Sequence, residues 1–168
     1  GANTSTAFTK IMVADIKIKA NTIEIDNYLK NIQRKFPRAI KESLARVSAF
    51  GVKQITEKTQ KGQKPDGGTF RPYAQSTKRD RQERGRQISF VDLTDTGRMF
   101  RSLTFKTRSF SSSLFFRRSE ENRKAAFHDF YGAGKGKVVR RFFAIGRKDE
   151  EKIRQLFFKH LLKKTGIR

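Results

Sequence analysis

Cysteine and tryptophan are both absent from the 168 residues, and only 16 carboxylates stand against 39 lysines and arginines. Without cysteine there are no disulfides and no thiolate metal ligands, a composition that suits assembly in a reducing cytoplasm. Without tryptophan, the large apolar residues are the 16 phenylalanines together with Ile, Leu and Val. Only two histidines, His128 and His160, are available for metal or acid–base chemistry. No apolar run approaches the ~18 residues that a membrane span requires. The opening residues also lack the charged-then-apolar layout of a secretory signal. The expectation is one soluble domain over 1–168, without membrane association, burying roughly two-thirds of its unfolded surface.

What the chain has in excess is positive charge, +23 in all. The excess is +6 over residues 1–60, +9 over 61–118 and +8 over 119–168, so it belongs to the body and not to a tail. A compact object with this charge repels itself, which implies a polyanion or acidic neighbours in use.

Leu93-Thr94-Asp95-Thr96-Gly97-Arg98-Met99-Phe100-Arg101-Ser102-Leu103 organises the rest. Thr94, Asp95 and Thr96 can each cap a helix beginning near Gly97. Met99, Phe100 and Leu103 share one face of it, and from Leu103 the period changes to two, with Leu103 and Phe105 opposite Thr104 and Lys106. A helix-to-strand corner is expected here. Upstream, residues 1–10 read as a flexible leader. Ala14, Ile16 and Ile18 alternate as a strand, Asn21-Thr22 turns, and Ile23 and Ile25 prolong the extended pattern. Asp26 can cap a helix carrying Tyr28, Leu29, Ile32 and Phe36, and Pro37 either kinks it or starts another. Ile40, Leu44, Val47, Gly51 and Ile55 form a sustained helical stripe, with close packing expected at Gly51.

Residues 59–90 read as a long basic loop or arm. Its first half holds Pro65, Asp66-Gly67-Gly68 and Pro72, while Phe70 and Tyr73 indicate docking. Its second half, with Arg71 before it, carries Lys78, Arg79, Arg81, Arg84 and Arg86 and almost no apolar face. Base-stacking aromatics are missing there, so any nucleic-acid contact would be to backbone, without sequence preference. After the corner, Ser109 to Ser113 turn and Leu114 to Arg118 return as a hairpin strand. Glu120 to Tyr131 read as a short helix, and Gly132 to Lys137 as a flexible loop. Val138 to Ile145 look strand-like around Arg140 and Arg141. Asp149 can cap a last helix whose buried face is Ile153, Leu156, Phe157, His160 and Leu161, widened by Phe158 and Leu162.

Tests for catalysis fail. A phosphate-binding loop needs four residues between its first glycine and Gly-Lys, followed by Ser or Thr. Three separate Gly132 from Gly136-Lys137, and Val138 follows. Neither histidine has a metalloprotease-type partner, and His128-Asp129 is a single adjacency. Asp66, Asp80, Asp92, Asp95 and Asp129 show no paired spacing of a nuclease. No enzyme, cofactor or metal is expected.

Several segments, in order, resemble the virion-morphogenesis proteins of tailed bacteriophages, the neck or tail-completion family. Gly68-Thr69-Phe70-Arg71-Pro72-Tyr73-Ala74-Gln75-Ser76-Thr77 resembles that family's glycine, aromatic, small-residue and threonine run. The corner is similar to its "leucine, x, Thr-Gly-Arg-Leu, x, x, Ser-Leu" signature through Leu93, Thr96, Gly97, Arg98, Ser102 and Leu103. Ala126 to Gly132, with His128, resembles its histidine-to-glycine segment. Arg141-Phe142-Phe143 resembles the run before the last helix, and Asp149 to Leu161 that helix. Met99 stands where leucine is usual and Phe142 where proline is usual. The resemblance covers residues 65–165.

The resemblance implies an α+β fold: a small antiparallel sheet, a long N-terminal amphipathic helix and a C-terminal helix, in a ring-forming, hexameric subunit. It implies a structural place in the virion neck, assembled in the host cytoplasm. There the ring would join the head connector or stopper to the tail terminator or tail tube, with genomic DNA in its lumen. On this reading Arg71, Lys78, Arg79, Arg81, Arg84 and Arg86 face nucleic acid or a neighbouring subunit. Lys135, Lys137, Arg140 and Arg141 line the lumen or an interface, and the signature residues, including Gly132 and Phe143, are structural. The alternative, from another class, is a stand-alone, sequence-nonspecific nucleic-acid-binding module using residues 71–86 and 135–147 as phosphate contacts.

Overall fold

A computed structural model describes residues 22–167, so the leader at 1–10 and the strand over Ala14, Ile16 and Ile18 lie outside the described residues. The described chain is α+β. It comprises α1 (Thr22–Gln60), α2 (Gln75–Glu83), α3 (Arg98–Ser102), β1 (Leu103–Thr107), β2 (Ser112–Phe116), α4 (Ser119–Ala126) and α5 (Arg147–Thr165). A π-helical turn, Phe127–Tyr131, continues α4.

α1 is a single helix of 39 residues. Ile23 and Ile25 belong to it instead of extending a strand, and Asp26 lies inside it instead of capping it. The reason is the longer pattern: Ile25, Leu29, Ile32 and Phe36 recur at four, three and four, a helical period that outweighs the local alternation. Pro37 sits within the helix on an exposed stretch, where water can satisfy the Gln33 carbonyl that loses its usual donor.

The buried seam of α1 runs Ala39, Ser43, Val47, Gly51, Ile55, Thr59, with Ile40 and Leu44 half-buried beside it. Its small members admit close neighbours. A Cβ on Gly51 would stand 3.5 Å from Leu114 Cδ2 and 3.6 Å from Ile145 Cδ1. α5 runs antiparallel along this seam: Lys164 pairs with Glu42 at 2.7 Å, His160 Nδ1 lies 3.0 Å from Ser43 Oγ, and Lys58 pairs with Asp149. Asp149 is therefore a partner of α1 and not the cap of α5. Gly146 holds the cap position, where a Cβ would stand 1.9 Å from the Pro65 carbonyl oxygen. α1 covers only one stripe of α5. Leu161 is buried and Ile153, Leu156, Phe157 and His160 are half-buried, but Phe158 and Leu162 face solvent instead of widening the buried face.

The corner forms as its apolar residues dictate: Met99, Phe100 and Leu103 are buried. Its cap differs from expectation. Gly97, left-handed at φ 71°, occupies the N-cap position and supplies no side chain; Thr96 Oγ1 lies a long 3.5 Å from the Arg98 N–H, and Asp95 is turned toward Arg84. β1 and β2 make an antiparallel hairpin with Leu103 opposite Phe116 and Thr107 opposite Ser112, the return strand starting two residues before Leu114. Phe142, 1% exposed, meets Phe100 edge-on at 5.9 Å and Phe116 at 6.3 Å, closing a core with Ile55, Phe70, Val91 and Ala125.

Val138 to Ile145 do not form the expected strand. The N–H groups of Phe142 and Phe143 donate to Asp129 Oδ1 at 2.7 and 2.9 Å, and that of Arg140 donates to the His128 carbonyl at 2.7 Å. Those donors cannot also serve a ladder. Among the described residues the sheet therefore has two strands.

Candidate interaction surfaces

The basic segment divides into groups that face inward and groups that face out. Phe70 enters the core and Tyr73 packs beside it, which brings α2 onto the body. Arg81, expected on the surface, is only 5% exposed. Its Nη2 donates to Asp92 Oδ1 at 3.0 Å, Nη1 to the Thr94 carbonyl at 3.0 Å and Nε to the Gln87 carbonyl at 3.0 Å. Its guanidinium also lies 4.7 Å from the centre of the Tyr73 ring. Arg140, expected at a lumen or interface, is buried with its guanidinium 5.7 Å from the centre of the Tyr73 ring and donates to the Arg71 and Pro72 carbonyls. Burial lowers its pKa from the ordinary guanidinium value. Tyr73 donates to Asp92 at 3.0 Å, and burial together with that carboxylate pushes its hydroxyl up to about 12. Two of the predicted basic contacts are thus internal struts.

The remaining members are accessible to different degrees. Arg84 pairs with Asp80 and, at 3.2 Å, with Asp95, which also lies 3.7 Å from Arg86. Arg71 and Arg79 are exposed and Lys78 is half-buried. Lys135, Lys137 and Arg141 are exposed on and after the glycine-rich loop, away from the α2 struts in sequence and joined to that region through Arg140. Gly132 enters this loop at φ 82°, where a Cβ would stand 2.1 Å from the Lys137 carbonyl oxygen. His128 carries its Nδ1 buried and, among the described residues, without a hydrogen-bond partner. Burial, reinforced by the Arg140 charge, holds its imidazole below the usual range. Asp129 is occupied by the two backbone N–H groups, so the pair is a structural clasp. Among the described residues no three His, Asp or Glu side chains are grouped to hold a metal ion.

Most of the signature residues are architectural in this chain. Leu93 and Leu103 are buried, Ser102 Oγ donates to the Met99 carbonyl at 2.9 Å, and Phe143 stacks 5.2 Å from Phe116. Arg98 is the exception, because it points outward with Arg101, Arg117 and Arg118 around one groove. The sequence reading passed over Arg101, Arg117 and Arg118. The signal was present in the hairpin register, which brings the residues before Leu103 alongside those after Phe116.

Besides Phe158 and Leu162 of α5, two groups of apolar side chains on other helices face solvent. Ala39 is the first buried residue of α1, so about 25 Å of helix precedes it. Along this stretch Ile25 and Leu29 are exposed, with Ile23 and Tyr28 beside them and Ile32 and Phe36 half-buried. On the π-helical turn, Phe127, Phe130 and Tyr131 are exposed, next to Val139.

A family model described as the phage virion morphogenesis family matches residues 20–162. No curated protein matches the chain, and no solved structure does. The match spans the elements from α1 to α5, and the chain belongs to the phage virion morphogenesis family.

Proposed function

We propose that this member of the phage virion morphogenesis family is a structural subunit of the virion neck, a tail-completion or head–tail joining protein that assembles as a ring, a hexamer by family likeness. The ring would sit between the head connector and the tail terminator or tube, with DNA passing through its lumen. The observation that carries this reading is the stripe of Ile25, Tyr28 and Leu29 on the first half of α1, which no element of the described fold covers. Fully burying residues of this kind contributes roughly 1.5–3 kcal/mol each. A second copy is the occupant that fits best. The exposed aromatics of the π-helical turn give each subunit a different apolar surface, and a head-to-tail contact between unlike surfaces makes a ring when the rotation between copies closes.

The test is native mass spectrometry with negative-stain imaging of the wild type and of Ile25→Asp/Leu29→Asp. Discrete rings from the wild type, and folded monomers with an unchanged melting temperature from the variant, support the reading. A wild type that stays monomeric while binding DNA tightly would favour the stand-alone nucleic-acid-binding module.

A further inference from the structure

We infer that the groove lined by Arg98, Arg101, Ser102, Arg117 and Arg118 is a contact site for the phosphate backbone of duplex DNA. This deepens the neck reading, because it needs that reading's DNA, but it does not depend on the ring. The groove follows from the fold. The hairpin pairs Leu103 with Phe116, and the contact continues one step beyond, where the Arg117 N–H donates to the Ser102 carbonyl at 2.8 Å. The end of α3 and the β2–α4 junction therefore run side by side. Arg98 lies one helical turn before Ser102, and the space enclosed is 540 Å³.

The frame beneath is rigid while the charges are free. Met99, Phe100, Ser102, Leu103 and Phe116 are buried, and the four arginines between and beside them are exposed. None of the four makes an ion pair among the described residues. Glu120 is held by Lys124 at 3.0 Å and feels Arg98 only through space. Arg101 gives one Nη2 hydrogen bond to the Thr96 carbonyl at 2.8 Å. Four guanidiniums held together this way repel one another until an anion enters.

The chemistry of the lining selects the anion. A guanidinium offers a planar fork that matches two phosphate oxygens, and lysine is absent from the groove. An interface with an acidic protein would carry an apolar core, whereas only arginine and serine line this one. No aromatic side chain lines it to stack a base, so contact is to the backbone and independent of sequence. The α2 cluster differs, because Arg84 and Arg86 already share Asp95.

The test is fluorescence anisotropy with a short mixed-sequence duplex across a salt series, light scattering being recorded on the same samples. Each phosphate contact contributes about 0.9 to the slope of log affinity against log salt. Arg98→Ser/Arg101→Ser/Arg117→Ser/Arg118→Ser is expected to lower that slope by about three to four, equally for two unrelated duplexes. Arg84→Ser/Arg86→Ser serves as a comparison and should change it by less. If the quadruple variant fails to fold, Arg118→Ser alone decides, with a loss of about 0.9 expected. An unchanged slope, or polyglutamate competing as well as DNA, overturns the site. Rings with an unchanged slope would remove this site and leave the neck reading standing. Monomers that lose the slope would support the site and remove the ring.

Discussion

Asp92→Ala should be among the most damaging single substitutions outside the apolar core. Asp92 is 8% exposed, and its Oδ1 accepts from Arg81, from the Tyr73 hydroxyl and from the Thr94 N–H, each at 3.0 Å. Removing one partner of a buried ion pair costs about 3–5 kcal/mol, because the other charge stays buried. Arg81 retains two carbonyl acceptors and the Tyr73 ring, which places the expected loss near 3 kcal/mol. Arg81→Ala leaves the Asp92 carboxylate buried with only the Tyr73 hydroxyl and the Thr94 N–H as donors and should lose about as much, near 3 kcal/mol, with the double variant showing coupling above ~1 kcal/mol. Urea melts at constant m measure both. Tyr73 gives an independent readout. Its hydroxyl titrates near 12 in the folded protein, above the ordinary value of about 10. The folded state therefore holds this proton longer than the unfolded chain. The stability it contributes is complete below about 10 and is lost as pH rises toward 12. In Asp92→Ala the tyrosinate absorbance should appear at lower pH. A stability loss under ~1 kcal/mol, or tyrosine titration unaffected by the substitution, would refute the cluster as the fastening of α2.

Leu103→Ala should lose roughly 2–5 kcal/mol in denaturant melts, since Leu103 is buried at the root of the hairpin. Two glycines should respond in opposite senses. Gly51→Ala, whose new methyl finds ordinary contacts, should gain up to about 1 kcal/mol, whereas Gly132→Ala meets a carbonyl at positive φ and should lose about 1–3 kcal/mol. The depressed pKa of His128 means that its contribution is present above about 6.5 and is lost as pH falls through that value toward the folded pKa. Melting temperatures from pH 7.5 to 5.5 should fall less in His128→Gln than in the wild type, His160 supplying a residual slope of the same sign.

The parts of the fold legible in the sequence are those set by a local period. Met99, Phe100 and Leu103 mark the corner, the alternation beyond Leu103 marks the hairpin, and the apolar stripe marks α1. Several failures share a cause: a side chain or a backbone group engaged elsewhere in the sequence. Asp149 would cap α5 in isolation, but Lys58 lies across from it. Phe142 and Phe143 look like strand residues, but Asp129 takes their N–H groups. Arg81 and Arg140 count as surface charge until both are found against the Tyr73 ring. The arginine groove was hidden for the same reason, since Arg98 and Arg101 are separated from Arg117 and Arg118 by the whole hairpin.

The charge excess therefore has two components with different physics. With 39 cations and 16 carboxylates, pairing can never be complete, so the positions of the few carboxylates decide which cations stay free. Asp92 and Asp149 are used where a loop or helix must be fastened, and Asp80 and Asp95 sit beside α2. The cations they hold are already paired. Those at the hairpin root make no ion pair among the described residues, although they stand on a buried frame. A rigid support with unpaired arginines above it is arranged for a ligand outside the chain, whereas Arg81, for all its charge, is arranged for the fold. Charge density along the sequence points to residues 78–86, but the pairing in three dimensions moves the best candidate for an anion contact to the root of the hairpin.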